Sequence, residues 1–404
     1  FIADSIVNEI PAGNYLTIEK PTLTVSRMIQ IISGRSIKLV HIPFLQIILK
    51  ILANSLYVLG FFGRIDLKLT PNRVVKLFRD TSYSNVNCKD IDTEKYVSRN
   101  CKQLSEILAN FNNEKNKIKH HQVDLSQKID DTRIFDGVDC IFHTAAKAGI
   151  DGRYDDYYTA NFIATENLLE VAKISGVQFF IYTSSPSVVF SGNAIKDGKE
   201  DMPYISSRIS PYSYTKSIAE KKVLSSNNET FASVALRPHL IWGENDPHLL
   251  PKVICRHRSG KLKIIGDGLN QVDLTHVDNV VHAHILALNC LIMGKPIGGR
   301  AYFISQNEPV QLWSWLNFIF TELDLHPVKE KISLRKAYSI GLAAELLWKI
   351  FPMKSDLPMT RFVACQLAHD HWFSSAAAKR DLGYEPILSM KEALDKTTPW
   401  LKSL

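Results

Sequence analysis

No two of the six cysteines (Cys88, Cys101, Cys140, Cys255, Cys290, Cys365) stand at a C-x-x-C spacing. A disulfide framework and a cysteine zinc site are therefore disfavoured, and reduced thiols in a cytoplasm are the expectation. Metal-ligand spacing is also lacking among the thirteen histidines. Only His282/His284 and His369/His371 come close, and side chains two apart on a helix diverge, so no metal is expected. A strong charge of one sign is missing: the formal net charge is +7, and the densest basic stretch, Lys115 to His121, interleaves with asparagine and no aromatic residue. It reads as a solvated face, and no nucleic-acid partner is expected. The chain has no basic-then-apolar leader and opens on Phe1, which reads as a fragment or a processed start. Phe44 to Phe62 is just long enough to cross a bilayer, but Gln46, Lys50 and Asn54 recur through it like a polar stripe. A buried or surface-lying amphipathic helix pair is favoured there. The chain is thus expected to be cytoplasmic, with peripheral membrane contact left open.

What is present is ordinary for a globular enzyme: 45% hydrophobic and 22% charged residues over 404 positions, enough for two or three domains' worth of core. An internal repeat organises the ends. Asp66-Leu67-Lys68-Leu69-Thr70 matches Asp356-Leu357-Pro358-Met359-Thr360, and without a gap Leu77, Asp80, Tyr83 and Ser84 fall on Leu367, Asp370, Phe373 and Ser374. Upstream, Tyr15-Leu16-Thr17-Ile18 resembles Tyr302-Phe303-Ile304-Ser305. Residues 1–84 therefore read as a truncated second copy of 302–374. From about residue 96 strands alternate with helices, including strands over 118–123, 138–142, 178–184 and 231–236 and helices over 102–111, 158–175 and 212–226. That alternation predicts an α/β fold with a doubly wound parallel sheet and a ligand at the carboxyl ends of its strands. The expected divisions are 1–84, a dinucleotide-binding part over 85–240, and a smaller mixed α/β substrate-binding part over 241–404.

Tyr212 and Lys216 share one face of the helix that opens after Ser210-Pro211. A nearby cation favours phenolate, which suits a tyrosine to move protons near neutral pH. Tyr214 is the competing candidate but lacks a lysine on the next turn. Upstream, Phe179-Phe180-Ile181-Tyr182-Thr183-Ser184-Ser185 is a buried-strand pattern ending in hydroxyls. Serines there also cap turns in many proteins, so their pairing with Tyr212 is what gives them weight.

Further strand-end stretches join these. They are His143-Thr144-Ala145-Ala146-Lys147-Ala148-Gly149, Leu236-Arg237-Pro238-His239-Leu240-Ile241-Trp242-Gly243, Thr275-His276-Val277-Asp278-Asn279 and Met359-Thr360-Arg361-Phe362. Taken in order, residues 96–404 resemble the extended short-chain dehydrogenase/reductase superfamily, which includes the NAD-dependent epimerases and dehydratases. Within it they resemble the sterol and 3β-hydroxysteroid dehydrogenase branch, in particular the 2-alkyl-3-oxoalkanoate reductases of bacterial olefin synthesis. The resemblance implies an oxidoreductase that uses NAD or NADP to interconvert a 3-oxo and a 3-hydroxyl group on a large apolar small molecule. It implies Tyr212 as acid/base, Lys216 as the lysine beside the nicotinamide ribose, and Ser185 (or Ser184, one register earlier) as the serine orienting the substrate oxygen. For the cofactor it implies Asp124 and Leu125 beside the adenine, Ala145, Ala146 and Lys147 beneath it, Pro238 at the nicotinamide end and Arg99 where an adenosine 2′-phosphate would sit. Asn161 is implied as a brace. A homodimer is left open, as is a nucleotide-sugar epimerase or dehydratase in place of the reductase.

One part of the family's pattern is missing. The fold should open with a strand, a Gly-x-x-Gly-x-x-Gly turn and a helix, whose backbone cradles the pyrophosphate. The nearest stretch, Gly60-Phe61-Phe62-Gly63, is followed by Arg64-Ile65-Asp66 rather than an amphipathic helix. The expected sheet therefore lacks its first strand and glycine turn, and Tyr15 to Ile18 is not expected to replace them. A fused, catalytically inactive remnant acting as a binding protein is the alternative in another class.

Overall fold

The computed structural model describes residues 15–16, 121–149, 152–208, 210–247, 249–350, 357 and 359–404. All of them fall in one of the chain's two compact units. Arg99, the apolar stretch 44–62, the glycines at 60 and 63, the elements expected over 96–111 and nearly all of the repeat copy 1–84 lie outside the described residues.

The described chain runs from β1 (Tyr15–Leu16) to β2 (Cys140–His143), then along one helical stretch made of α1 (Tyr154–Tyr157), a π-helical turn (Tyr158–Ile163) and α2 (Ala164–Ile174). β3 (Phe179–Thr183), β4 (Ile195–Gly198), α3 (Pro211–Ser225) and β5 (Ala232–Pro238) follow. Next come β6 (Ile241–Trp242), α4 (Leu250–Arg258), β7 (Ile264–Ile265), β8 (Gln271–Val272), β9 (Thr275–His276), α5 (Val277–Ile292) and β10 (Ala301–Ile304). The last part holds β11 (Val310–Gln311), α6 (Leu312–Glu322), β12 (Lys331–Ile332), α7 (Leu334–Ile350), α8 (Arg361–Ala368), β13 (His371–Phe373), α9 (Ala376–Leu382) and α10 (Met390–Leu401).

Five strands form the main sheet in the order β1-β2-β3-β5-β10. Every neighbouring pair is parallel, with Cys140 opposite Phe179 and Phe179 opposite Ala232. Successive side chains leave a strand on opposite faces, and here both faces are covered, which is why β2, β3 and β5 read as nearly unbroken apolar runs. Cys140, Phe142, Ile181, Val234 and Leu236 pack toward Val281 and Leu288 of α5. Ile141, Phe180, Tyr182 and Ala235 pack toward Leu168 of α2 and Val223 of α3. The sheet is doubly wound, as the alternating pattern predicts.

Two expectations about the sheet differ at its first edge. Tyr15 and Leu16 pair with Cys140 and Ile141, so two residues of the segment given no place in the sheet do stand beside β2. Residues 121–124, by contrast, carry no strand. A strand is held by its ladder partner, and the chain from residue 96 to residue 120 lies outside the described residues.

A second, mixed sheet has the order β11-β8-β13-β4, with β11 antiparallel to β8 and β13 parallel to both β8 and β4. It packs on the carboxyl end of the main sheet, where the Phe303 and Phe373 rings stack 4.5 Å apart. Cys140, Cys290 and Cys365 are free thiols.

Candidate active site

Helix α3 begins where its sequence can satisfy its own first turn. The Ser210 hydroxyl accepts from the Ser213 N–H at 3.2 Å, and Pro211 fills a position that needs no N–H donor. The face one turn apart then carries Tyr212, Lys216 and Glu220 in line. Lys216 is 2% exposed. Its Nζ donates to the Thr183 carbonyl at the end of β3 at 2.6 Å and lies 4.0 Å from the Tyr182 ring centre. Burial lowers the Lys216 ammonium to about 7, opposed by the Glu220 carboxylate.

Ser185 follows β3 and caps the short 3-10 turn Pro186–Val188. Its oxygen accepts from the Ser187 N–H at 3.2 Å and the Ser187 hydroxyl at 2.9 Å. Its own hydrogen is left for the Tyr212 oxygen, with which Ser185 is hydrogen-bonded. The structure thus brings Ser185, Tyr212 and Lys216 together at one strand end. Ser184 is different: its N–H extends the ladder to Leu236 at 2.6 Å, and its hydroxyl is buried without a partner.

The titration of Tyr212 runs against the sequence reading. Burial raises it, and the Ser185 hydrogen bond opposes that rise. The Lys216 ammonium meets the Thr183 carbonyl and the Tyr182 face. The phenol keeps its proton at neutral pH.

Asn161 sits in the π-helical turn, a distortion that recurs at functional sites. Its Oδ1 accepts from the Lys147 N–H at 2.7 Å, and its Nδ2 donates to the Lys147 carbonyl at 3.2 Å and the Thr215 hydroxyl at 3.2 Å. It therefore ties the Ala145-Ala146-Lys147 segment after β2 to helix α3. Behind it, Thr165 donates to the Asn161 carbonyl at 2.6 Å, so His143 Nε2–H must be the donor to Thr165 at 2.8 Å. Burial and the Lys216 charge keep His143 neutral, at about 3. On the other face His284 donates through Nδ1 to Val280 and accepts from Thr183 at 2.7 Å.

Asp124 and Leu125 stand apart from this cluster. Asp124 lines a cavity of about 390 Å³ with Val123, Ile129 and Ile134, and its carboxylate accepts from Ser126 N–H and Oγ at 3.0 and 2.7 Å. Asn167 of α2 holds the loop through the Leu125 carbonyl at 2.9 Å. Pro238 ends β5 opposite Ile304.

Several site neighbours were not legible as such. Glu220 binds Arg237 through contacts of 2.6–3.1 Å and accepts from the Tyr204 hydroxyl at 2.6 Å, with both charged groups buried. The spacing from Lys216 to Glu220 was a usable signal. His239 and Asp273 form a second buried pair, which no spacing announces. Among the described residues no group of three His, Cys, Asp or Glu side chains is placed to hold a metal ion.

This site geometry lies inside the reach of a known family: the model described as the 3-beta hydroxysteroid dehydrogenase/isomerase family matches residues 60–335. The chain belongs to that family. A family relative, the 2-alkyl-3-oxoalkanoate reductase of Stenotrophomonas maltophilia (strain K279a), is 42% identical over 260 residues, covering 64% of this chain and 79% of the relative. The mouse (Mus musculus) sterol-4-alpha-carboxylate 3-dehydrogenase, decarboxylating, is 39% identical over 266 residues, 65% of this chain and 74% of that protein. Among solved structures, the UDP-glucuronic acid 4-epimerase of Bacillus cereus in complex with NAD is similar with a TM-score of 0.53 and 21% identity, over 70% of this chain and 80% of that one. A dTDP-glucose 4,6-dehydratase from Streptomyces venezuelae is similar with a TM-score of 0.54 and 20% identity, over 73% and 82%. At these identities the structures bear on the fold, which the family shares with the epimerases and dehydratases.

Proposed function

We propose that this member of the 3-beta hydroxysteroid dehydrogenase/isomerase family interconverts a 3-oxo and a 3-hydroxyl group on a large apolar substrate, sterol-like or fatty-acyl-like, with NAD or NADP as partner. The observation that carries the reading is the convergence of Ser185, Tyr212 and Lys216 at the end of β3. The named activities of the bacterial and mouse relatives support the substrate class.

The residues at the strand ends fit the nicotinamide end of a dinucleotide. Lys216 has donor capacity beyond Thr183, Ser184 offers an unpartnered hydroxyl, and Asn161 fixes the segment through Lys147. Lys216 would hold the ribose, Ala145, Ala146, Lys147 and Pro238 would flank the ring, and Asp124 and Leu125 would meet the adenine. The pyrophosphate end has no glycine turn in the sequence, and Tyr15–Leu16 stands beside β2 instead. When bound, the nicotinamide supplies or accepts the hydride. Tyr212, kept protonated by burial, donates its proton to the carbonyl oxygen in the reductive direction, and Ser185 orients that oxygen.

Helix α7 suits an apolar substrate delivered from a lipid surface. Ile340, Leu346, Leu347 and Ile350 are exposed along it, with Arg335 and Lys336 exposed in its first turn. Such a face supports peripheral membrane contact. Among the described residues no helix is long and apolar enough to cross a membrane.

The missing glycine turn favours a second reading, an inactive remnant in which 1–84 is the tail of an upstream reductase. Titration of the purified chain with NADPH and NADH separates the two. The reductase reading expects binding at micromolar cofactor, and absence of binding at millimolar cofactor would leave the remnant.

A further inference from the structure

A buried ammonium needs partners, and Lys216 has few. It is nearly sealed from water, and among the described residues no carboxylate bonds its Nζ. Glu220, one turn further along α3, is the carboxylate whose charge reaches it, but that group is bound to Arg237. What stands against Nζ is the Thr183 carbonyl at 2.6 Å and the Tyr182 ring, whose centre is 4.0 Å away. An aromatic face carries negative charge density, and a cation taken out of water is held over it more firmly than an exposed one.

The sheet places that ring. Tyr182 leaves β3 on the side of α2 and α3, is buried, and stands opposite His143 of β2 and Ala235 of β5. The His143 ring lies 5.3 Å from it and is neutral, so no second cation competes for the aromatic charge. Thr183 leaves the strand on the opposite face, where its hydroxyl donates to His284 at 2.7 Å and fixes the residue that offers the carbonyl. The Tyr182 hydroxyl lies beside Thr165, whose oxygen already donates to the Asn161 carbonyl and accepts from His143. Removing that hydroxyl leaves Thr165 both of these partners. The ring face is the part of Tyr182 that meets the lysine.

Helix spacing puts Lys216 on the face of Tyr212, but a four-carbon stem leaves the ammonium many places to go. One of its three N–H donors is spent on Thr183, and the ring face restricts where the others point. We propose that Tyr182 is a positioning residue of this site: its ring face holds the Lys216 ammonium so that a free N–H meets the ribose hydroxyls of the dinucleotide. The inference rests on the reading above that Lys216 holds the nicotinamide ribose, and it assigns what aims that lysine.

The test is calorimetric titration with NADH and with NADPH at pH 6, below the value near 7 to which burial lowers Lys216, so that the amine is charged. The proteins are wild type, Tyr182→Phe, Tyr182→3,5-difluorophenylalanine and Tyr182→pentafluorophenylalanine. Fluorine withdraws charge from the ring face in steps while the ring stays nearly the same shape. The tighter-binding cofactor is expected to bind Tyr182→Phe within about threefold of wild type and the pentafluoro variant about tenfold more weakly than Tyr182→Phe, with the difluoro variant between them. If the pentafluoro variant melts early, the difluoro variant carries the comparison. In a Lys216→Met background the same ring series is expected to change affinity by less than about twofold, because the cation that senses the face is gone. Equal affinity across the ring series, in variants that keep the melting temperature of Tyr182→Phe, overturns the positioning role and leaves the reductase reading standing. A loss of the same size in the Lys216→Met background overturns it too, since packing rather than the lysine then carries the effect. Failure of wild-type protein to bind either cofactor overturns the reductase reading itself, and the positioning role with it.

Discussion

Replacing Glu220 by glutamine removes one charge from the most buried ion pair described and leaves nearly every hydrogen bond in place. Both side chains are sealed, at 0% and 1% exposure, so water cannot screen what remains. The Tyr204 hydroxyl can still donate to an amide oxygen, and the guanidinium keeps one neutral acceptor of the contacts it now makes at 2.6–3.1 Å. What is lost is compensation of the Arg237 charge, whose Nη1 already lacks a partner. Breaking one side of such a pair costs about 3–5 kcal/mol, and the retained hydrogen bonds place Glu220→Gln near the lower end, about 3 kcal/mol. With a urea slope of about 3 kcal/mol/M the unfolding midpoint falls by about 1 M. The double variant Glu220→Met/Arg237→Met removes both charges and is expected to recover most of that loss, because the desolvation cost disappears with the pair. Urea unfolding followed by circular dichroism reads all three proteins. A Glu220→Gln midpoint within about 0.3 M of wild type, which is about 1 kcal/mol on that slope, would show that charge compensation is not what Glu220 supplies. So would a double variant no more stable than the single one.

Two further outcomes follow from the same structure. Gly341, where α7 crosses the start of α8, has the Arg361 nitrogen and Thr360 carbonyl carbon 2.6 Å from where a Cβ would stand, so Gly341→Ala is expected to destabilise by about 1–3 kcal/mol in the same assay. Burial holds Lys216 near 7 against 10.5 for a free lysine, so between those values the unfolded chain binds a proton that the native chain does not. Stability from this group therefore rises with pH through that window and is lost as pH falls toward 7, by at most about 1.4 kcal/mol per pH unit. Lys216→Met is expected to flatten the slope of melting temperature between pH 7 and pH 9, below the range where the raised buried tyrosines titrate.

The main sheet was legible in the sequence because both its faces are buried, so β2, β3 and β5 had to be apolar runs closed by polar strand ends. Tyr212 and Lys216 were legible for a second local reason, their shared helix face. The register of the serines was not: Ser184 and Ser185 differ only in which side of the strand each leaves, and the ladder bond from Ser184 to Leu236 decides it. The sequence places Lys216 on the same helix face as Tyr212 but cannot show that its ammonium reaches the Thr183 carbonyl. His239 and Asp273 join segments far apart in the chain, and neither periodicity nor spacing could pair them. The pairing of Tyr15–Leu16 beside β2 was likewise invisible, since two residues carry no pattern.

If Tyr212 is the proton donor of a reductive site completed by Ser185 and Lys216, removing its hydroxyl must slow turnover without loosening the cofactor. The decisive comparison is the rate of NADPH or NADH oxidation at saturating 2-alkyl-3-oxoalkanoate by wild-type protein and by Tyr212→Phe. Ring packing is preserved in that variant, since the Tyr157 and Tyr212 rings meet edge to face at 6.5 Å without needing the hydroxyl of Tyr212. Turnover is expected to fall by about 10²–10⁴-fold in Tyr212→Phe, with cofactor affinity unchanged. Turnover in Tyr212→Phe within about tenfold of wild type, short of what a lost proton donor costs, would contradict that role.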